Sequence, residues 1–139
     1  MRWRVRLTAL AAAGGFLAVA LAIRLLVSTG GVLDGSGVLA QHSGTALYAS
    51  MIYAGVFLLA PATRPMVAGA VAIASCWTVE LLQLTGIPAE LSERSLLARL
   101  ALGVAFDPVD LIWYPVGVLP VVALHHVLAG KRVATAARA

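Results

Sequence analysis

Glu80 and Gln83 stand three residues apart, and Asp110 and Tyr114 four apart, each pair in or at the end of a run of apolar residues. On a helix, both spacings put the two members on one face. A carboxylate beside an amide, and a second carboxylate beside a phenol, can hold hydroxyl or amine groups and orient a guanidinium. Two carboxyl groups in unlike environments can also divide general-acid and general-base work. Arg24, Arg94 and Arg99 offer phosphate contacts, and Tyr48 a further hydroxyl. Ionisable side chains within a membrane span cost at least about 2.5–3.5 kcal/mol on insertion scales, so they face protein or water rather than lipid.

Each of these residues also has a plainer reading. Glu80 lies about four residues, roughly 6 Å of helix rise, before the end of its apolar run. A carboxyl there is either a structural polar contact between helices or part of a site. Asp110, in the first turn of a helix, is favoured by the helix dipole whatever else it does. Tyr114 suits an interfacial aromatic anchor, and Arg24 can snorkel to headgroups. Arg94 and Arg99 either meet lipid phosphates or pair with the carboxylates. His125 and His126 point about 100° apart on a helix and make poor joint metal ligands. Cys76 reads as a small buried apolar residue. No metal site and no cofactor is expected.

The elements that hold these residues are apolar runs. A bilayer crossing needs about 20 mostly apolar residues, and four runs approach that length: 7–27, 44–60, 66–84 and 109–128. Thr63 is placed to cap the third run with Pro65 in its first turn, and Gly86 and Pro88 to end it. Asp107 is placed to cap the fourth, which contains Pro115 and Pro120 and should kink there. Residues 28–43 read as a Gly/Ser-rich loop. In 89–102, Leu96, Leu97 and Leu100 share one face away from Glu90, Glu93 and Arg94, which predicts one short interfacial helix. The expected fold is therefore all-α: an integral membrane four-helix bundle with a short interfacial helix between its third and fourth members, in a single domain.

Composition supports lipid as the solvent. Of 139 residues, 61% are apolar and 12% charged, against about a quarter charged in soluble domains. Mean hydropathy is +0.95. The net charge of +4 arises from arginines and a lysine at the ends of apolar runs. No basic face interleaved with aromatics exists, so nucleic acid is not an expected partner. Arg2, Arg4 and Arg6, then Arg64, then Lys131, Arg132 and Arg138 fall on one side if there are four crossings. Asp34, Glu90, Glu93 and Asp107 fall on the other. By the positive-inside rule both termini are cytoplasmic. The chosen polar residues then gather near the outer leaflet, and the spans hold almost no ionisable group in their middle and inner portions. A rival reading takes residues 1–22 as a signal peptide cleaved after Ala20 or Ala22. The apolar run continues through "IRLLV", which favours an uncleaved helix.

The segments "VELLQLTGIP" and "LARLALGVAFDPVDLIWYPVGVL" resemble a family of bacterial membrane proteins called domain of unknown function 2809. The matching positions are Glu80, Gln83, Leu102, Gly103, Phe106, Asp110, Leu111, Tyr114 and Gly117. Upstream, Gly44 and Tyr48 match the segment that opens the second helix, whereas Thr45 stands where the family has Asp. The family's arginine between helices three and four fits Arg94 with a one-residue slip. A more distant likeness is to VanZ-like membrane proteins, associated with glycopeptide-antibiotic resistance, which usually have Asn in place of Tyr114. The resemblance implies a multi-pass protein of the bacterial inner membrane. Neither likeness supplies a reaction.

Three functions follow as expectations. One is binding or handling of a lipid-linked or cell-envelope molecule at the outer leaflet. The second is a structural or assembly role in a membrane complex, with a membrane-protein partner or a second copy. The third, less favoured, is an enzyme using Glu80 and Asp110.

Overall fold

The computed structural model describes residues 2–28 and 38–136. Asp34 and Arg138, both used in the orientation argument, lie outside the described residues. Six helices occur among the described residues: α1 (Arg2–Ser28), α2 (Val38–Leu59), α3 (Pro65–Gln83), α4 (Ile87–Arg94), α5 (Leu96–Leu102) and α6 (Asp110–Ala136). No strand occurs among them. Three helices, α1, α3 and α6, are long and apolar enough to cross a membrane. Only 6% of the most apolar stretch of α1 is buried inside the protein, so nearly all of that helix needs an apolar surrounding. α2 has 22 residues, about 33 Å at helical rise. It is not one of those three, because His42, Ser43, Thr45, Tyr48, Ser50 and Tyr53 punctuate it.

That polarity is explained by its place. α2 packs against α1, α3 and α6, and its polar groups find partners inside. The buried Ser50 hydroxyl donates to the Ala46 carbonyl at 3.0 Å and to the Gly117 carbonyl at 2.9 Å. Tyr53 Oη lies 2.8 Å from His125 Nδ1, and the His42 ring stacks on Trp113 at 5.2 Å. Small residues allow the close crossings: Ala49, Ala68 and Ala72 are fully buried, as is Val118. Tight van der Waals contact of this kind drives association where lipid is as apolar as the protein.

A cavity of about 500 Å³ near one end is lined by Val5 and Thr8 of α1, Tyr53 and Phe57 of α2, and Leu124 and His125 of α6. A second cavity at the other end is lined from the end of α1, the start of α2, the end of α3 and the start of α6. The long helices therefore alternate in direction.

Several local expectations need correction. α1 begins at Arg2 and α6 continues to Ala136, because arginines and alanines are good helix formers, and α2 begins at Val38, so residues 38–43 of the expected loop are helical. Thr63 does not cap α3; Arg64 holds that position with extended backbone and no side-chain cap bond. The single interfacial helix over 89–102 is two helices. At Ser95 the backbone is extended; its N–H closes α4 on the Leu91 carbonyl, and its hydroxyl accepts from Ala98 N–H at 3.3 Å to cap α5. Side-chain capping by Ser competes well with helix continuation, and leucine periodicity could not register it. Pro115 has no N–H, which would leave the Leu111 carbonyl, four residues back, without a partner. Trp77 fills the gap: its indole N–H donates to that carbonyl at 2.9 Å.

Candidate functional site

Glu80 occupies the last turn of α3 and is 1% exposed. Its Oε1 accepts from the backbone N–H of Asp107 at 2.7 Å, and its Oε2 from the Tyr114 hydroxyl at 2.6 Å. Both oxygens thus point at donors from the loop before α6 and from the first turns of α6. Asp107 in turn shapes that loop, its Oδ1 accepting from Val109 N–H at 2.9 Å and its carbonyl from Asp110 N–H at 3.0 Å. Gln41 Nε2 donates to Asp107 Oδ2 at 2.9 Å. Glu80 consequently fixes where α6 begins, and with it the position of Asp110.

Asp110 is half-buried. Its Oδ1 accepts from the Thr45 hydroxyl at 3.0 Å. Gln83 reaches back to the end of α5: Nε2 donates to the Leu102 carbonyl at 2.6 Å, while its buried Oε1 has no donor. Gly103 follows with φ +69°, and a β-carbon there would lie 2.6 Å from Gln83 Nε2, so glycine suits both the left-handed backbone and the space. Tyr48 donates to the Ala101 carbonyl at 2.8 Å, and Ser92 to that of Gly103 at 2.8 Å. These bonds hold α5 over the ends of α2 and α3.

The result is an open cavity of about 400 Å³. Seven of the eight residues expected at a site line it: Arg24, Tyr48, Glu80, Gln83, Arg99, Asp110 and Tyr114. Arg94 does not; it is exposed at the end of α4, because the break at Ser95 turns α5, not α4, toward the cavity. Arg24 and Arg99 are exposed, and among the described residues neither guanidinium bonds or pairs with another side chain. Opposite charges therefore share one wall without meeting.

Sequence reasoning did not assign Gln41 or Thr45 to the site. The only signal for Thr45 was its place where the resembling family has a carboxylate; its hydroxyl meets Asp110 instead. Asp107, expected to cap the fourth helix, instead bonds Val109 N–H just outside α6, which starts at Asp110, and nothing in the spacing ties its own N–H to Glu80, 27 residues away. Among the described residues no group of three or more His, Cys, Asp or Glu side chains is placed to hold a metal ion.

No curated protein and no solved structure matches this chain. The model of the family described as "Protein of unknown function (DUF2809)" matches residues 35–118. That stretch is more than half of the chain and holds every residue named in the polar cavity except Arg24, and the protein belongs to this family.

Proposed function

We propose that the protein spans a bacterial inner membrane four times, with both ends in the cytoplasm, and binds the phosphate-bearing headgroup of a lipid or lipid-linked envelope molecule at the outer leaflet. The four-span reading is supported by the alternating directions of α1, α2, α3 and α6, and by the run of Arg2, Arg4, Arg6 and Arg64 at the end opposite the polar cavity. The observation that carries the binding reading is the pair of exposed guanidiniums, Arg24 and Arg99, at a cavity that also holds two carboxylates they do not pair with. Guanidinium is the side chain best suited to phosphate oxygens, and an unpaired one at headgroup depth is free to take them.

Glu80 acts here as a positioning residue. With each oxygen already facing a donor, it is better placed to hold α6 than to exchange protons with a substrate, which disfavours an acid/base enzyme. The second reading is a subunit of a membrane complex. It is favoured by the outer face of α1, where Leu10, Leu17 and Leu21 are each at least half exposed. Co-purification in mild detergent of a stoichiometric partner would support that alternative.

The binding reading is tested with purified, delipidated protein titrated with phosphatidylglycerol and with diacylglycerol, which lacks phosphate. Binding should require the phosphate. The Arg24→Gln and Arg99→Gln variants should each bind about 10-fold more weakly, since a hydrogen bond to a charged group is worth about 1.5–3 kcal/mol. Equal affinity for the two lipids, or no change in either variant, would remove the proposal.

A further inference from the structure

We infer that the headgroup this cavity selects is a zwitterionic phospho-amine, with its phosphate on Arg24 and Arg99 and its primary ammonium on Asp110. This rests on the headgroup reading above and narrows it to one chemical class.

The argument begins with charge. The wall carries two guanidiniums, Arg24 and Arg99, and two carboxyl groups, Glu80 and Asp110. In a lone cavity of mixed charge, pairing across the wall would be the simplest arrangement, yet neither arginine pairs. The protein instead satisfies Glu80 from within, through Asp107 N–H and Tyr114 Oη. Asp110 is only half satisfied: Thr45 takes Oδ1, and among the described residues no donor reaches Oδ2. A ligand that is only anionic would answer the arginines and leave its negative charge facing Asp110. A ligand that is only cationic would do the reverse. A zwitterion whose two charges lie a few bonds apart answers both, and charge-assisted hydrogen bonds are the strong ones.

Hydrogen-bond chemistry then favours a primary amine. The inner wall is short of donors. Gln83 Nε2 is engaged by the Leu102 carbonyl, Gln83 Oε1 has no donor, and Tyr48 gives its proton to the Ala101 carbonyl. An ammonium brings three N–H donors. A trimethylated amine brings none and is recognised by aromatic cages; here the only lining aromatics among the described residues are Tyr48 and the buried Tyr114, too few for a cage. About 400 Å³ lies within the size range of small-ligand sites and leaves acyl chains outside.

The test titrates the full-length protein in detergent with short-chain phosphatidylethanolamine, phosphatidylglycerol and phosphatidylcholine, with soluble glycerophosphoethanolamine as competitor. Phosphatidylethanolamine should bind about 10-fold more tightly than either other lipid. Asp110→Asn keeps an acceptor for Thr45 and should fold; it should weaken phosphatidylethanolamine binding about 10-fold and erase that preference. Wild-type protein that binds phosphatidylglycerol or phosphatidylcholine as tightly as phosphatidylethanolamine overturns the inference and leaves the headgroup reading standing. Failure to bind any of the three overturns the headgroup reading itself. Competition by glycerophosphoethanolamine at the lipid's own affinity supports the phospho-amine and assigns it to a free molecule; competition only at far higher concentration assigns it to the lipid. Should Asp110→Asn fail to fold, the wild-type lipid order alone decides.

Discussion

Gly117→Ala should unfold the bundle more effectively than any other single-methyl addition to its helices. A β-carbon at position 117 would overlap the Ala46 carbonyl oxygen and lie 2.6 Å from its carbon. Both are backbone atoms of α2, so no rotamer change relieves the clash. The two helices must move apart, and the Ser50 hydroxyl would then lose the Gly117 carbonyl. Overpacking at a rigid contact reaches about 3 kcal/mol, well above the gain of about 1 kcal/mol that alanine brings to a helix interior. Thermal or detergent unfolding should show this loss. Gly55→Ala is the control. It lies in the same α2 with no atom within 4 Å of a built β-carbon, and it should change stability by less than about 1 kcal/mol. Equal behaviour of the two variants would mean that α2 and α6 do not cross so closely.

The second large effect is expected at Glu80. Truncation to alanine leaves the Asp107 N–H and the Tyr114 hydroxyl without acceptors in a buried place. Two hydrogen bonds to a charged group, at about 1.5–3 kcal/mol each, put the expected loss at about 3–6 kcal/mol. Glu80→Gln should lose about half as much. Its carbonyl can still accept from Asp107, and its amide can donate to the Tyr114 oxygen. Tyr114→Phe removes one of the two bonds. In a double-mutant cycle, Glu80→Ala and Tyr114→Phe should therefore fall short of additivity by about 1–2 kcal/mol. Unfolding titrations of the four proteins check this. Strict additivity, or a Glu80→Ala variant as stable as the parent, would show that the carboxylate does not pin the start of α6.

These expectations show what the amino-acid sequence discloses. Glu80, Gln83, Asp110 and Tyr114 were legible as a group because polar side chains in apolar runs are costly and must be answered by something. Their helical spacings placed them at one end, and the cavity gathers them there. The answering groups were another matter. The partners of Glu80 include a backbone N–H, which carries no residue-type signature. The demand for glycine at 117 comes from a carbonyl on another helix, and a glycine in an apolar run does not announce its neighbour. Arg94 and Arg99 looked equivalent in composition; only the break at Ser95 separates them. Each of the four apolar runs lies on a long helix, but α2 starts six residues before its run and α6 continues eight beyond it, and the polar residues of α2 face inward to α6 and α5.

Glu80 is a positioning group, its two oxygens on Asp107 N–H and Tyr114 Oη, and in the proposed function recognition falls to Arg24, Arg99 and Asp110. Division of this kind lets a carboxylate be buried without becoming a liability: its two oxygens are met, and the turn they hold presents a second carboxylate to the cavity. On the proposed reading, binding needs only that the headgroup reach the open side of the cavity from the outer face of the membrane.

Accessibility at that mouth is the most direct measure. Leu100 lines the cavity and is 68% exposed, so Leu100→Cys offers a reactive thiol there, whereas the native Cys76 is 1% exposed. Ala62→Cys, in the exposed connection between α2 and α3, reports the opposite end. A membrane-impermeant maleimide applied to intact cells should label position 100 at once and position 62 only after permeabilisation. Labelling of 62 from outside, with 100 reached only after permeabilisation, would place the polar cavity on the cytoplasmic side and contradict the account.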